Sequence, residues 1–442
     1  MNKGGVFMQS IWSDSVKNSN INNQKKLNGD IKTDVLIIGG GLAGVLCAYK
    51  LQEEGIDYIL VEAKTIGNGV TANTTAKITA QHGLIYSDII KKYGVNRAKK
   101  YYEANIKALK EYKKLSKKIP CDFEEKTAYL YSLDRPKRLE KEIKAYKKIG
   151  IPYILEKNPP LPFKTVGALG MENQAQFNPL KFILGIAKEL NIYENTYINE
   201  IKDNTAFTSK GSITAKKIIL TTHFPFINVP GLYFMKMHQH RSYVVAYQNA
   251  KNVDGMYIDE RKDGYSFRNY NDYLLIGGGG HKTGKKGGNY TEIRSLAKIV
   301  YPKAEEKYNW ATQDCITLDS IPYIGIHRKS APNLYVATGF NKWGMTGTMA
   351  AAAVLKDLII NEKSKYEKLF SPQRSIWHPR LFANIINSTI GLLTIGKRCP
   401  HLGCALKWNR AERSWDCPCH GSRFDKKGNL IQNPAKRGIS IE

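Results

Sequence analysis

Residues 35–44 read Val-Leu-Ile-Ile-Gly-Gly-Gly-Leu-Ala-Gly, and this stretch decides the fold. Its four apolar residues suit a buried strand, and Gly39, Gly41 and Gly44 form a G-x-G-x-x-G turn. In such a turn the first glycine permits the sharp bend, the second lets the backbone approach a pyrophosphate, and the third allows close packing of helix on strand. Residues 45–54 have the pattern of a helix, whose N-terminus offers free N–H groups. The stretch therefore predicts a dinucleotide-binding turn.

An acidic residue stands where such a turn needs one. Residues 58–62 predict a second strand, so that strand, helix and strand follow one another within about 30 residues. Glu62 ends that strand, 23 residues after Gly39, where its carboxylate can accept hydrogen bonds from ribose hydroxyls. The same carboxylate would repel a 2′-phosphate, which disfavours NADP. A chance glycine-rich turn is the competing interpretation.

Three features favour FAD over NAD. The turn lies near the start of the chain, and the apolar run 218–220 is followed by Thr221 and Thr222, which is typical of flavoproteins with two dinucleotide segments. Late in the chain, residues 333–339 predict a strand, and residues 344–347 (GMTG) predict the start of a helix. The N-terminus of such a helix can reach the pyrimidine edge of a flavin, where negative charge develops on reduction.

With these segments, residues 30–365 resemble the D-amino-acid oxidase-like (glycine oxidase/sarcosine oxidase) superfamily. Gly67, Thr71 and residues 74–79 match the family segment that runs from the ribose-binding acid towards the isoalloxazine. The resemblance implies FAD, and oxidation of a small amine or amino-acid-like substrate on a mixed sheet that faces the flavin. The implied cofactor-binding residues are Gly39, Gly41, Leu42, Ala43, Gly44, Glu62, Ala63, Thr74, Thr75, Ala76, Lys77, Thr221, Gly339, Gly344, Met345 and Thr346.

Four of the seven cysteines fall within residues 399–419, in two loops that read CPHLGC and CPCHGS. Each loop offers one thiolate and one imidazole, in the order C-x-H and C-x-x-H. Two thiolates and two imidazoles are the ligands of a Rieske [2Fe–2S] centre, although a Cys₂His₂ zinc site has the same donors. The remaining cysteines, Cys404 and Cys419, could join the two loops through a disulfide.

The loops closely resemble the Rieske proteins of cytochrome bc complexes. By that resemblance Cys399 and Cys417 ligate one iron, and His401 and His420 ligate the other. The sequence departs from that pattern at Phe424, where high-potential relatives have a tyrosine; loss of its hydrogen bond to a ligand sulfur predicts a lower reduction potential. A disulfide is unusual in a reducing compartment, so an alternative is that its two cysteines stay reduced.

The expected fold class is α/β, with a doubly wound FAD-binding domain, an α+β mixed-sheet substrate domain and a short all-β Rieske-like segment. The predicted organisation begins with a flexible N-terminal arm (1–30) and an oxidoreductase (31–370). Its FAD-binding parts are about 31–90, 166–223 and 313–365, and its substrate domain about 91–165 and 224–312. A linker (371–398) with one apolar stretch, 381–395, leads to a shortened Rieske domain (399–442).

The composition limits the remaining function classes. The chain has 442 residues with 67 Lys+Arg and 39 Asp+Glu, a net charge of +28. The excess is densest in 91–148, where lysines alternate with apolar residues at helical spacing, as on a solvated helix face. Nucleic acid is therefore not an expected partner. The external electron acceptor stays open, with an acidic redox protein and a quinone as the candidates. No apolar run suits a membrane span or a signal peptide, so a cytoplasmic enzyme is predicted.

Candidate catalytic residues carry weaker signals. His281 follows a glycine-rich strand end, Arg241 can bind a carboxylate bidentately, and His82 follows the flavin-approaching segment. The predicted activity is that of an FAD-dependent dehydrogenase that passes electrons to the [2Fe–2S] cluster and on to an external acceptor. The alternatives are a redox-sensing or structural flavo-iron–sulfur protein with little turnover, and, on charge alone, a flavoprotein that acts on RNA.

Overall fold

The structure of the protein, a computed structural model, describes residues 9–18 and 25–441. The described residues form two large sheets, a small third sheet and eleven α-helices. Their bounds, in chain order, are α1 Ile11–Ser15, α2 Leu42–Glu53, α3 Ile85–Tyr93, α4 Val95–Ser116, α5 Pro136–Ile149, α6 Pro179–Ala187, α7 Tyr233–Lys236, α8 Asn289–Val300, α9 Gly344–Asn361, α10 Glu367–Phe370 and α11 Pro379–Leu393.

The strands divide among the three sheets. Their bounds, in chain order, are β1 Ile31–Ile38, β2 Tyr58–Val61, β3 Lys77–Ile78, β4 Glu124–Ser132, β5 Ile154–Glu156, β6 Gly167–Gln176, β7 Ile192–Tyr193, β8 Glu200–Lys202, β9 Thr205–Thr208, β10 Gly211–Leu220, β11 Met237–Gln248, β12 Met256–Asp259, β13 Ser266–Tyr270, β14 Tyr273–Lys282, β15 Glu305–Thr317, β16 Tyr323–Arg328, β17 Ala331–Thr338, β18 Lys407–Asn409, β19 Ser414–Asp416, β20 Arg423–Phe424 and β21 Leu430–Gln432.

The first sheet is the predicted doubly wound domain. Strands β17, β10, β1, β2 and β7 lie side by side in parallel, and β16 and β9 pair with it antiparallel. The apolar run before the glycine turn is the buried end of β1, and α2 begins at Leu42 directly after that turn. Helix α2 packs against α9, so the early and late dinucleotide segments meet, as the sequence predicts.

The second sheet is the mixed sheet expected of a substrate domain. Its order is β15-β11-β14-β13-β12-β4-β6-β3, and its pairs are antiparallel except for β12 and β4. Strands β3 and β6 belong to this sheet, whereas the sequence analysis placed residues 77–78 and 167–176 in FAD-binding parts. The chain crosses between the two large sheets several times. No change in the local sequence pattern accompanies these crossings, so the sequence does not predict where they occur.

The third sheet is a small antiparallel meander in the order β18-β19-β20-β21. Its core consists of four cysteines with Leu406, Phe424 and Ala435. Helix α11 occupies most of the stretch expected to be a linker. Among the described residues, no helix combines the length and the apolar composition needed to cross a bilayer.

Part of the N-terminal arm is packed rather than flexible. Trp12 of α1 is fully buried, lies edge-on to Tyr270 and Trp310, and donates its indole N–H to the carbonyl oxygen of Thr74. The expectation of a loose arm is wrong for residues 9–18, because one tryptophan supplies the burial that the polar composition around it lacks. Residues 1–8 and 19–24 lie outside the described residues.

Candidate active site and iron–sulfur site

A cavity of about 1340 Å³ is lined by all three sheets. Gly41 lines it from the glycine turn, Ser242 from β11 of the mixed sheet, and Gln432 from β21 of the small sheet. Pockets for one small ligand usually occupy about 300–1,000 Å³. This cavity therefore has room for a dinucleotide and a small substrate together.

The glycine turn forms an open cradle at the cavity wall. Gly39 has φ +115°, and a Cβ on Gly44 would collide with the carbonyl oxygen of Gly39, so both positions require glycine. A Cβ on Gly41 would instead point into open space, 3.6 Å from the nearest atom, the hydroxyl oxygen of Thr71. The space that this side chain would fill is where a pyrophosphate approaches the backbone in such turns.

The Glu62 carboxylate is held in place beside this cradle. Its Oε2 accepts the Gly40 N–H at 2.7 Å and its Oε1 accepts the Lys64 N–H at 2.8 Å. Each carboxylate oxygen has a second lone pair, and Glu62 lines the cavity. The residue can therefore accept hydrogen bonds from ribose hydroxyls without losing its own supports.

Most residues predicted to bind the cofactor line the cavity. These are Gly39, Gly41, Leu42, Ala43, Glu62, Ala63, Thr74, Thr75, Lys77, Thr221, Gly344 and Met345. The described lining does not include Gly44, Ala76, Gly339 or Thr346. These four are buried behind the wall, where Gly44 packs on the turn and Thr346 donates its hydroxyl to the carbonyl oxygen of Thr79 at 2.9 Å.

Lys77 is a titratable residue of this wall. Burial, and then the charge of Arg268, lower the pKa of Lys77 to about 7. Its ammonium contacts the hydroxyl oxygen of Thr75 at 3.3 Å. Lys77 therefore gains or loses a proton near neutral pH.

His82 lines the cavity as a fixed, neutral ring. Its Nδ1 contacts the Tyr101 hydroxyl at 2.7 Å, its Nε2 contacts the Thr79 carbonyl oxygen at 2.7 Å, and Trp343 stacks on it. Burial lowers the pKa of His82 to about 3. Both nitrogens are engaged, so His82 supports the start of α9 rather than offering a free base.

His281 is not part of the described cavity lining. Its Nε2 contacts the Tyr243 hydroxyl at 3.0 Å and the Asn289 Oδ1 at 3.2 Å, and its Nδ1 contacts the Lys282 carbonyl oxygen at 3.0 Å. The sequence predicts that side chains alternate between the two faces of β14, but it does not predict which face carries His281.

Arg241 belongs to the cavity lining, but its guanidinium is paired with a carboxylate of the protein. Its Nε donates to Glu412 Oε1 at 2.9 Å, and its Nη2 makes a further contact with Glu412 Oε2. Only Nη1 lacks a partner among the described residues. Much of the guanidinium's hydrogen-bonding capacity therefore goes to the C-terminal domain.

Two cavity residues of opposite charge were missed by the sequence analysis. Asp314 of β15 and Lys342, just before α9, line the cavity and act on each other's charge. Burial raises the pKa of Asp314 to about 6, against the effects of Lys342 and Arg241. Neither lies in a motif, and only the pairing of β15 with β11 brings Asp314 to this wall.

The two C-terminal loops bring the predicted iron ligands together. The rings of His401 and His420 stand nearly perpendicular, with centroids 4.9 Å apart. Burial lowers the pKa of His401 to about 4 and that of His420 to about 3, so both rings are neutral at pH 7. In the described chain, Nδ1 of His401 and both ring nitrogens of His420 are buried without a hydrogen-bond partner.

The predicted thiolate ligands are supported by backbone N–H groups. The Cys417 thiol and the N–H groups of His401 and Leu402 hydrogen-bond the Cys399 sulfur, and against burial they lower the pKa of Cys399 to about 7. Cys404 and Cys419 form a disulfide between the loops. The Cys417 sulfur lies within 4.8 Å of both disulfide sulfurs. The loops thus form one compact sulfur-rich site.

Sequence comparison identifies two parts of the chain. Residues 34–358 match the model of the family described as FAD dependent oxidoreductase. The chain belongs to this family. Residues 384–441 match the Rieske [2Fe-2S] domain, so the family's fold is followed here by an iron–sulfur domain, and the cofactors of the protein are FAD and a Rieske-type [2Fe–2S] cluster.

Relatives of this oxidoreductase share the same outline. YhfW of Bacillus subtilis (strain 168), named as a Rieske 2Fe-2S iron–sulfur protein, is 35% identical over 473 aligned positions, which cover 92% of this chain and 93% of its own. Two solved structures share the fold of the larger part. L-proline dehydrogenase from P. horikoshii has a TM-score of 0.66 at 19% identity, over 79% of this chain and 98% of its own. Glycine oxidase from Geobacillus kaustophilus has a TM-score of 0.66 at 17% identity, over 78% and 100%.

The donor groups of this oxidoreductase fit both cofactors. The cradle at Gly41 leaves backbone room for a pyrophosphate. Two thiols lie with two neutral imidazoles, and in the described chain Nδ1 of His401 and both ring nitrogens of His420 have no hydrogen-bond partner. His401 also shows which nitrogen is free, because its Nε2 donates to Asn228 Oδ1 at 2.9 Å. The lone pair then lies on Nδ1, the nitrogen left for a metal.

The Rieske domain is fastened to the flavin domains by amide side chains that the sequence did not signal. Gln239 Nε2 donates to the carbonyl oxygens of His420 at 2.9 Å and of Asn433 at 3.1 Å. Gln313 Nε2 donates to the carbonyl oxygen of Gly421 at 2.9 Å. Asn433 Nδ2 donates to the carbonyl oxygens of Thr222 at 2.8 Å and Phe224 at 2.6 Å. The second ligand loop is therefore held against β11 and β15, and the segment after β21 is held against the end of β10.

Proposed function

We propose that the protein is an FAD-dependent dehydrogenase that oxidises a small amine or amino-acid-like substrate and passes the electrons through its Rieske domain to an external acceptor. FAD supplies two-electron oxidation and the Rieske cluster supplies one-electron transfer. The names of the structural neighbours glycine oxidase and L-proline dehydrogenase support the substrate class. The iron ligands in this proposal are Cys399, Cys417, His401 and His420.

Charged residues in the cavity suit a zwitterion. The Lys342 ammonium can bind a carboxylate, and the Asp314 carboxylate can accept a hydrogen bond from an amine. Asp314 is ionised above about pH 6, so it favours amine binding at neutral pH. Both residues line the cavity and can orient the substrate there, and no separate base is needed if the amine binds neutral.

The position of the Rieske domain carries the electron-transfer part of the proposal. Asn433 and Thr222 line the cavity, and Gln239 joins Asn433 to the backbone of His420. A continuous run of hydrogen bonds therefore connects the wall of the flavin cavity with a predicted iron ligand. Such a connection has no evident use in an oxidase that returns electrons to O₂ from the flavin alone.

The test is anaerobic rapid mixing of the holoprotein with candidate amines and amino acids. We expect flavin absorbance near 450 nm to bleach first and the EPR signal of the reduced cluster to follow. Gln239→Leu should slow the second phase and leave the first unchanged. Gln248→Leu, on the same strand β11 but away from the loops, is the matched control.

Two results would overturn the proposal. Flavin bleaching by a good substrate with no later cluster signal would separate the two halves and favour a structural or sensing role for the Rieske domain. Absence of bleaching by every amine and amino acid tried, in protein with full FAD content, would reject the substrate class.

A further inference from the structure

Helix α11 presents its apolar side to solvent. Of the twenty exposed large hydrophobic residues in the described chain, eight lie between residues 377 and 395. They are Trp377, Phe382, Ile385, Ile386, Ile390, Leu392, Leu393 and Ile395, and the fraction exposed reaches 94% at Ile395. This outward surface is called the α11 face below. An apolar concentration of this kind marks an interaction site.

Apart from the buried Leu381, the inward side of the same helix is small and polar, the reverse of an ordinary surface helix. Asn384 is buried and donates its Nδ2 to the carbonyl oxygen of Met235 at 3.2 Å. Gly391 fits closely against the disulfide, where an added Cβ would collide with the Cys419 sulfur. Packing of α11 onto the protein therefore does not use the exposed apolar residues. The α11 face has no partner inside the described chain.

The charges around the α11 face indicate what covers it. Residues 371–410 contain six Lys+Arg and no Asp or Glu, and one of the six, Arg374, is buried in an ion pair with Asp319. Arg380 hydrogen-bonds the carbonyl oxygens of Thr317 and Leu318, and Arg398 those of Leu392 and Gly403, so neither cation is neutralised by a carboxylate in these contacts. A mainly apolar surface beside these two cations matches the surface of an anionic bilayer.

We propose that α11 is a membrane-docking helix that lies in the surface plane of a bilayer containing anionic lipids. Its fifteen residues form a rod of about 22 Å, which is too short to span a bilayer and suited to lie in the headgroup region. Trp377 precedes the helix, in keeping with the preference of tryptophan for membrane interfaces. This inference goes beyond the proposed function and does not rest on it.

Docking in this orientation would place the Rieske domain at the bilayer surface. Arg398 Nη1 donates to the carbonyl oxygens of both Leu392 and Gly403, so the end of α11 adjoins the loop that holds His401. Leu402 of that loop is itself exposed. The α11 face and the first ligand loop therefore form one continuous edge.

The first experiment is cosedimentation of the holoprotein with vesicles of phosphatidylcholine, with and without phosphatidylglycerol. We expect strong partition only to the anionic vesicles, weakening as salt rises. Ile386→Asp with Ile390→Asp should lower the partition coefficient at least tenfold. Ile299→Asp, at a 79% exposed isoleucine of α8, is the control and should change it less than twofold. Flavin and iron content establish that each variant is folded.

A second measurement needs no charged variant. Vesicles with brominated acyl chains should quench tryptophan fluorescence, and Trp377→Phe should remove most of that quenching. Absence of binding to anionic vesicles, or equal binding by the double variant, would overturn the proposal. A concentration-dependent dimer that the double variant dissociates, without vesicle binding, would show that a second copy of the chain covers the α11 face instead.

Discussion

The two large sheets are held together by apolar side chains, whereas the Rieske domain is held by sulfur chemistry and by polar contacts with its neighbour. The principal core contains dozens of buried aliphatic and aromatic residues from both large sheets. In the Rieske core, four of the seven buried residues are cysteines. A domain this small rarely buries enough apolar surface to be stable alone. Its fold therefore depends on the cluster, the disulfide and the docking surface.

A buried charge cluster joins the Rieske domain to the mixed sheet. Glu412 of the Rieske domain contacts Arg241 of β11, Arg423 of β20 and the Tyr243 hydroxyl. Burial alone would raise the pKa of Glu412, but Arg241 and Arg423 lower it to about 2. Asp416 also pairs with Arg423, so two carboxylates balance two guanidinium groups, and loss of one would leave a buried charge without its partner.

The largest expected effect is loss of the iron–sulfur cluster with the flavin domain left intact. Cys417→Ser should abolish the EPR signal and the bound iron, because serine does not replace a thiolate ligand of this cluster. Flavin content and flavin absorbance should stay at the wild-type level. Cys47→Ala, at a buried cysteine of α2, should keep both cofactors. Retention of the cluster in Cys417→Ser would reject the ligand assignment.

The next effect separates the two regions without touching a ligand. Glu412→Gln should destabilise the docked Rieske domain by about 3–5 kcal/mol, the usual cost of removing one partner from a buried ion pair. The measurement follows iron–sulfur and flavin absorbance during the same thermal unfolding. The control, Glu306→Gln, breaks the more exposed pair with Arg294 and should cost less than about 1 kcal/mol. Simultaneous loss of both absorbances in Glu412→Gln would show that the regions unfold as one.

The same carboxylate predicts an acid limb. The folded pKa of Glu412, about 2, lies below the ordinary glutamate value of about 4.3. Its contribution to stability is therefore complete above about pH 5 and is lost as the pH falls from there towards 2. Glu412→Gln should flatten this part of the pH–stability curve for the Rieske transition. An unchanged acid limb in the variant would assign it to other groups.

A smaller effect sharpens the chemistry of the large domain. Asp314→Asn should raise KM for an amine substrate about tenfold, since a hydrogen bond to a charged group contributes about 1.5–3 kcal/mol. The rise of kcat/KM with pH near 6, where Asp314 ionises, should disappear. Asp272→Asn, at an exposed turn, should leave both unchanged. A pH profile that survives in Asp314→Asn would remove Asp314 from the site.

The smallest effect tests how the Rieske core sets its potential. Phe424 is fully buried in the cysteine-rich core. Phe424→Tyr should raise the reduction potential if the added hydroxyl hydrogen-bonds a ligand sulfur, because such bonds stabilise the reduced cluster. Phe207→Tyr, at an exposed residue of β9, is the control. A potential equal to the wild type would show that the hydroxyl does not reach the sulfur.

The sequence predicted the parts of this molecule that depend on short spacings. The strand–turn–helix at residues 35–53, the acid at Glu62 and the two cysteine–histidine loops each lie within a few dozen residues, where backbone geometry and ligand chemistry restrict the choice of side chain. The same local logic gave the two cofactors and the order of the domains. It gave only weak candidates for catalysis, because His82, Arg241 and His281 stand outside any motif.

Tertiary structure alone decided what those parts face. Arg241 and Glu412 are separated by 171 residues, and neither position shows that the pair will fasten one domain to another. The packing of distant elements likewise brings Asp314 and Lys342 to the same cavity and leaves the apolar side of α11 exposed. Helical and strand periodicity establishes that an element has two sides, whereas the packing of distant elements determines which side is covered.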